Sequence, residues 1–319
     1  MADTRNDPDE VPEADAVVKD YLLVVGPDTV EIHVNSVFLS AASKPFRAIF
    51  APKWRAGHEV KTTNGVVTIP LPEDDGVALQ VICAVIQHEN HTILNNLPAH
   101  TILRIAIMAD KYDCYHALRY ASESWLNPAK DVVDDLSILT AAAYLFRNAT
   151  AFRQLTKKMI LMYKGSFAAA AWGGAETLLD WRLLGLLEGA RSAARLQLAT
   201  ILIRGVGTEY RSCVHRCGWS SKYAFAYIQQ LNKNNLGPEA LIHQSIADAI
   251  AQAEYMPDPI PDEDSGTCQY AYKHRVPGYR KDREWPLEHF KNNLGLCLPC
   301  VRAGDGNAAN CQEPHKDRN

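Results

Sequence analysis

The sequence lacks the segments that carry proteins into or across membranes. Residues 1–16 are acidic, with no basic group followed by an apolar run, so we predict a disordered tail rather than a signal peptide there. The best apolar stretch, Leu136 to Phe146, is too short to cross a bilayer. The Leu-rich run over 183–202 is interrupted by charged residues. We therefore expect an intracellular protein of the cytoplasm or nucleus, with no membrane partner.

A basic excess is missing as well. The net charge is −4, which leaves no domain-wide positive surface for phosphates, so nucleic acid is not the expected partner. The local basic run from Lys273 to Arg283 is followed by Glu284, and we interpret it as a solvated loop. P-loop, dinucleotide-binding glycine and HExxH motifs do not occur. We predict that the chain is not an enzyme.

The length and hydrophobic content of the chain suit several folded parts. The chain has 319 residues, 47% of them hydrophobic, which exceeds a typical single core. After Pro128 the pattern becomes helical, and residues 256–266 are rich in Pro and acid. We predict an α+β domain over 17–127, a mainly α-helical extension over 128–254, an acidic Pro-rich linker or loop over 255–267, and a Cys/His-rich segment over 268–319.

The N-terminal domain is predicted to begin with a β-hairpin. A strand over 17–25 ends at a Gly-Pro-Asp turn, and the alternating stretch 29–34 is its partner. His33 falls on the opposite face from the apolar residues beside it. Ser36 and Ser43 are predicted to cap two short helices.

Hydrophobic periodicity predicts the remaining elements. A short strand is expected at 66–71. Apolar residues at helical spacing predict helices over 77–88, 101–112, 115–126, 134–164 (one or two helices), 177–204, 223–231 and 239–253.

His33 and three nearby serines, Ser36, Ser40 and Ser43, invite comparison with a catalytic base and nucleophile. A serine nucleophile typically occupies a sharp glycine turn between a strand and a helix. None of these serines has a glycine beside it, and they occur where helix caps are needed. We interpret them as part of a scaffold.

Asp110 follows an apolar helical face and carries a charge that is costly to bury. A buried carboxylate must accept hydrogen bonds, so we predict that Asp110 ties neighbouring backbone amides. We also predict that the His33 imidazole bonds to nearby backbone or to Asp110.

Three stretches together resemble the BTB/POZ domain: HVNSVFLSAASKPFRAIF (33–50), IPLPEDD (69–75) and AIMADKYDC (106–114). The resemblance covers residues 17–126 and implies a short sheet capped by a helical core. One departure is that residues 88–100, HENHTILNNLPAH, are polar where the family pattern continues into a short strand. The structural motif residues that it implies are His33, Ser40, Ser43, Phe46, Arg47, Phe50, Asp110 and Tyr112.

The resemblance implies a module that assembles proteins and has no catalytic centre. Its partner would be itself or another BTB protein, or a cullin-type ubiquitin ligase for which the rest of the chain recruits a substrate. The alternative is a transcription-associated regulator in the nucleus, which would need a DNA-reading element. Because the early strand and first helix form dimer contacts in related domains, the interface candidates are Val18, Leu22, Leu23, Val37, Phe38 and Leu39.

The eight cysteines are unevenly distributed. Cys83 and Cys114 lie singly in apolar helical patterns and are predicted to be core thiols, whereas the other six follow residue 212. In a reducing compartment, clustered thiols indicate a metal site more than disulfides. The candidate ligands are Cys213, His215, Cys217, Cys268, His274, Cys297, Cys300, Cys311 and His315.

Cys297 and Cys300 form a C-x2-C half-site, which places two thiolates on one turn. The pair Cys268 and His274 can complete a tetrahedron with it. The pair Cys311 and His315 can do so instead, or can join the 213–217 cluster in a second site.

The C-terminal segment adds to the resemblance. Some fungal BTB proteins carry a helical segment, a Cys/His cluster and a G-L-C-L-x-C-V stretch, and this chain has GLCLPCV at 295–301. We predict a small structural Zn²⁺ knot that pins the chain from residue 268 onward onto the segment 213–219. Such an ion would fold a segment with few apolar residues.

Overall fold

The computed structural model describes residues 19–52, 61–63, 65–92, 97–126, 133–167, 180–206, 217–260, 268, 274, 278–309 and 311. The chain divides into two compact units, Met1–Ser122 and Glu123–Asn319. The division falls near the predicted boundary at 127. The predicted linker and the Cys/His-rich segment both belong to the second unit.

A small sheet and surrounding helices make up the first unit. Its elements are β1 (Tyr21–Val25), β2 (Val30–Val34), α1 (Ser36–Ala42), α2 (Lys44–Ile49), β3 (Lys61–Thr63), β4 (Val66–Leu71), α3 (Gly76–Ile86), a 3-10 turn (Asn90–Thr92), α4 (Ala99–Lys111) and α5 (Arg119–Trp125), which continues past the boundary between the units.

The sheet has the strand order β2-β1-β4-β3. β1 and β2 form the predicted antiparallel hairpin, and β1 runs parallel to β4. Leu23 pairs with Ile32 on one side and with Ile69 on the other, and all three side chains are buried. On the opposite face, Leu22 and Val24 are only half-buried. The helices therefore cover one face of the sheet, as alternation along the strands predicts.

Side-chain caps begin the two short helices α1 and α2, but one predicted cap was wrong. Ser43 caps α2 by accepting a hydrogen bond from the amide of Phe46 at 3.0 Å, as predicted. The cap of α1 is Asn35, not Ser36. Ser36 is the first helical residue, and its amide and hydroxyl donate to the carboxylate of Asp20 at 2.7 and 2.5 Å. An acidic partner there suits the positive end of the helix dipole.

The polar stretch after α3 departs from a strand pattern, as the sequence suggested. Within its described residues, 88–92 and 97–100, a 3-10 turn and the start of α4 take the place of a strand. Lys19 pairs with Glu89 at 2.7 Å beside this turn.

Helices make up the regular structure of the described part of the second unit. None of the described helices is both long enough and apolar enough to span a membrane. Their bounds are α6 (Val133–Leu145), α7 (Ala149–Met162), α8 (Trp181–Ile203) with a 3-10 turn (Arg204–Val206), α9 (Trp219–Lys233), α10 (Pro238–His243), α11 (Ile246–Tyr255), α12 (Tyr279–Asn292) and α13 (Leu298–Ala303).

Two helices were missing from the sequence prediction, α12 and α13. Much of α12 is charged and Pro286 lies within it, so apolar periodicity could not reveal it. The helix nevertheless packs against α8 and α11. The interpretation of Arg283 as part of a solvated loop is wrong, because Arg283 is 5% exposed and donates to the carbonyls of Ala253 (2.7 Å) and Met256. This guanidinium is therefore not available to phosphates.

Another buried arginine holds the turn after α7. Arg191 is 3% exposed and donates to the carbonyl oxygens of Tyr163 (3.2 Å) and Gly165. It also pairs with Glu188, and its guanidinium carbon lies 4.6 Å from the ring centroid of Phe167. Arg191 thus organises the interior of the unit, while the side chain of its partner Glu188 is 41% exposed.

Candidate metal centres and the predicted site residues

The serines and His33 of the first unit are not arranged as a nucleophile and its base. His33 is exposed on the outer side of β2, as its position in the alternating strand predicts. The Ser43 hydroxyl donates to the carbonyl of Tyr112 at 2.6 Å while capping α2, and Ser36 is bonded to Asp20. The Ser36 hydroxyl therefore links α1 to the residue before β1, and the Ser43 hydroxyl links α2 to the end of α4.

The buried carboxylate is Asp74 rather than Asp110. Asp110 is exposed, and among the described residues its side chain has no hydrogen bond to His33 or to a backbone amide. The side chain of Asp74 is 2% exposed and accepts from Lys111 and from the hydroxyl of Tyr112. Burial, followed by the hydrogen bond to Asp74, raises the pKa of Tyr112 well above its usual range.

The other resemblance residues pack and form hydrogen bonds within the first unit. The rings of Phe46 and Tyr112 stack with centroids 4.3 Å apart, and Phe50 stacks on Phe46 at 6.1 Å. Arg47 donates twice to the carbonyl of Ser40, at 2.8 and 3.1 Å. They act as packing and hydrogen-bonding residues.

The six interface candidates separate by exposure. Leu23 and Leu39 are fully buried, so they have no surface to offer a partner in this fold. Val37 is 70% exposed, and Phe38 is half-buried. Leu22 is half-buried on the outer face of the sheet, and Val18 lies outside the described residues.

One candidate metal centre is formed by Cys217, Cys268 and His274. Their ligand atoms all lie within 4.8 Å of one another, and all three residues are half-buried. The Cys217 sulfur is 3.3 Å from Nε2 of His274. Cys217 directly precedes Gly218, whose φ of +81° turns the chain into α9. These residues are positioned to hold a metal ion.

Trp219 completes the surroundings of this centre, and sequence reasoning had not singled out its role. Its ring stacks on the imidazole of His274 with centroids 4.7 Å apart and planes 14° apart. The stack fixes the imidazole while its Nε2 atom is directed towards the Cys217 sulfur. An aromatic residue two positions after a candidate cysteine was the available signal.

The second candidate centre is formed by Cys297, Cys300 and Cys311, whose sulfur atoms also lie within 4.8 Å of one another. Cys297 is the cap residue of α13, and Cys300 lies in the first turn of that helix. The Cys297 amide donates to the carbonyl of Ala308 at 2.9 Å, which returns the chain towards Cys311. This group is positioned to hold a metal ion too.

The GLCLPC stretch positions these thiols residue by residue. Gly295 has a φ of +109°, and a Cβ there would lie 2.5 Å from the carbonyl oxygen of Arg153 on α7. The amide of Leu296 donates to Thr156 of the same helix at 3.0 Å, in the buried interior. Leu298 is buried one residue after Cys297. Gly295 and Leu296 therefore anchor the half-site to α7 just before its first thiol, and α13 packs against the same helix.

The three adjacent thiols of the second centre suit a shared cation. The described cysteines form no disulfide, and three thiols cannot all be paired within one group. Burial, followed by hydrogen bonding with Cys311 and Cys297, raises the pKa of the Cys300 thiol to about 12. A bound divalent cation would stabilise the thiolates that burial disfavours.

The grouping decides between pairings that the sequence left open. Cys311 joins the Cys297–Cys300 half-site, whereas Cys268 and His274 lie with Cys217. The predicted link between the chain from residue 268 onward and the segment before α9 is thus present. Cys213, His215 and His315, the other candidate ligands, lie outside the described residues.

Comparison of the chain with protein-family models, with curated proteins and with solved structures gives no match in any of the three.

Proposed function

We propose that this chain is a non-catalytic protein-interaction protein whose first unit is a BTB domain that associates with itself or with another BTB domain. Two features support this. Two of the serines that resembled a catalytic group, Ser36 and Ser43, bond through their hydroxyls to the fold itself. In addition, the first unit combines a small sheet with helices, which is the coarse arrangement that the resemblance implies.

The observation that carries the proposal is the exposure of Val37 beside the start of β1. The hydrogen bonds from Ser36 to Asp20 hold the first turn of α1 next to the residues that lead into the strand. Val37 is the next residue along and is 70% exposed. An association that buries this edge would remove its apolar surface from water, and a standard interface buries about 1,600 Å².

Light scattering of the full chain at micromolar concentration tests the proposal. We expect a dimer, which Val37→Asp shifts towards monomer because a charge would be buried in the interface. The matched control is Val77→Asp: Val77 is 47% exposed and is also the second residue of its helix, α3. Aspartate is favourable in a first helical turn at both positions. A monomeric wild type, or equal effects of both substitutions, would refute the proposed interface.

We further propose that the second unit extends this interaction role, as a substrate-recruiting part of a cullin-type ubiquitin ligase. Its support is the apolar surface that the unit leaves exposed, including Leu196 (71%) and Phe225 (62%). A pull-down of purified cullin with the full chain tests the adaptor role. Binding of DNA that weakens with salt, without cullin binding, would favour the transcription-associated alternative.

We also propose that both candidate metal centres hold structural Zn²⁺. Thiolates with imidazole are ligands that zinc prefers in tetrahedral sites, and adjacent ligand atoms there lie about 3.8 Å apart given Zn–S bonds of about 2.3 Å. The ligand atoms of each group all lie within 4.8 Å of one another, which leaves room for this spacing. Elemental analysis of purified protein should give zinc, and Cys297→Ser should lower the content by one ion.

A further inference from the structure

The two candidate centres flank one helix along the sequence. His274 precedes α12 by five residues, and Cys297 follows its end at Asn292 by five. A helix of 14 residues is about 21 Å long. The two groups share no residue. This placement favours two separate ions over one shared cluster.

The centres differ in how much chain each one closes. The ligands of the first centre, Cys217 to His274, span 58 residues that include α9, α10 and α11. Those of the second, Cys297 to Cys311, span 15 residues. In an unfolded chain the chance of bringing the ends together falls as the 3/2 power of the span, so it is roughly eightfold lower for the first centre. The first centre depends on the folded second unit to assemble it.

The centres also differ in ligands and in access. The first has two thiols and one imidazole, all half-buried, whereas the second has three thiols, of which Cys300 is 5% exposed. Zinc binds thiolates strongly, and burial slows the approach of a competing chelator. The second centre is in addition anchored to α7 through Gly295 and Leu296.

We propose that the ion held by Cys217, Cys268 and His274 is an exchangeable clasp, whereas the ion held by Cys297, Cys300 and Cys311 stays with the folded chain. This inference rests on the proposed zinc content. Loss of the first ion releases His274 from Cys217 and opens its stack on Trp219. Cys268 and His274 are thereby freed from the start of α9, so zinc availability sets whether these two residues stay beside Cys217 and Trp219.

Stepwise chelation of the full-length protein tests the inference. Zinc is counted as a soluble chelator is added, while tryptophan fluorescence is followed in parallel. We expect two ions at the start, loss of one at chelator concentrations at least tenfold below those that remove the second, and a fluorescence change confined to the first step. Trp219→Phe should abolish that change. Both ions leaving in one step, or a first loss that leaves Trp219 emission unaltered, would overturn the inference.

A pair of matched histidine variants gives an independent test. His289 stacks on Trp285 with planes 14° apart, as His274 does on Trp219, but it belongs to neither thiol group. We expect His274→Ala to retain one ion and the helical content of the wild type, and His289→Ala to retain two ions. Global unfolding of His274→Ala would show that the first ion is permanent and would refute the clasp. A wild type without zinc would instead refute the zinc proposal itself.

Discussion

The hydroxyl of Tyr112 donates a hydrogen bond to the carboxylate of Asp74, which lies 38 residues earlier in the chain. Lys111 pairs with the same carboxylate, whose side chain is only 2% exposed. A charge that is removed from water must be paired and hydrogen-bonded, so the segment before α3 and the end of α4 hold each other in place.

Tyr112→Phe should therefore destabilise the first unit. The substitution keeps the ring that stacks on Phe46 but leaves the Asp74 carboxylate with one donor fewer. We expect the free energy of unfolding to fall by about 2 kcal/mol, as for hydrogen bonds to charged groups. Urea unfolding measures the change. Tyr120→Phe is the control, because Tyr120 is 84% exposed; equal loss in both variants would contradict the role assigned to the pair.

The buried thiols and phenol of the first unit should make it sensitive to alkali. Burial raises the pKa of Cys83 strongly and that of Cys114 to about 12, and burial with Asp74 raises the pKa of Tyr112. In the unfolded chain a thiol ionises at about pH 8.5 and a phenol at about pH 10. Since folding raises these pKa values, their contribution to stability is complete below the unfolded pKa and is lost as pH rises above it.

We accordingly expect the free energy of unfolding to fall above about pH 8.5, by up to about 1.4 kcal/mol per pH unit for each buried thiol. Urea unfolding across the range from neutral to alkaline pH gives the profile. Comparison with Cys114→Ala isolates the effect of one thiol. The free energy of unfolding of the variant should fall less steeply with pH, by up to about 1.4 kcal/mol per pH unit. Identical slopes in the two proteins would show that the Cys114 thiol does not contribute.

Local patterns in the sequence predicted much of the first unit. The alternation of apolar and polar residues predicted the hairpin and the outward direction of His33. A serine at the start of a helical pattern predicted the Ser43 cap. Asn35 and Ser36 are both good caps and stand side by side, so the sequence could not decide between them. In the structure the Ser36 hydroxyl donates a hydrogen bond to the Asp20 carboxylate, and Asn35 is the cap of α1.

Contacts between distant segments could not be predicted in the same way. Asp74 and Asp110 both carry carboxylates near apolar stretches, and only the fold shows that Asp74 lies under Tyr112. Likewise, C-x2-C spacing identified a half-site, but which Cys or His joins it depends on how α12 separates residue 274 from residue 297.

The buried guanidinium of Arg191 yields a prediction for the second unit. It donates to two carbonyl oxygens after α7, of Tyr163 and Gly165, and lies over the ring of Phe167. Lysine keeps the charge but cannot reproduce this planar set of donors. We expect Arg191→Lys to lower the free energy of unfolding by about 3 kcal/mol, since a side chain that is only 3% exposed loses hydrogen bonds made by a charged donor. Arg280→Lys, at an exposed position, should change it little; the opposite order would contradict the assignment.

Two glycines in and directly after α8 should respond in opposite directions to the same substitution. A Cβ on Gly205 would lie 2.1 Å from the ring of Tyr227, which is 1% exposed and donates to the carbonyl of Leu202 at 3.0 Å. A Cβ on Gly189 would meet no atom within 4 Å.

We expect Gly205→Ala to destabilise the second unit by about 3 kcal/mol, because the buried ring of Tyr227 must move and its hydrogen bond is strained. Gly189→Ala should instead raise the free energy of unfolding by about 1 kcal/mol, since alanine favours the helix interior. Thermal unfolding of the two variants and the wild type measures both changes in stability. If Gly205→Ala were as stable as the wild type, the close approach of α9 to the turn after α8 would be refuted, whatever the outcome at Gly189.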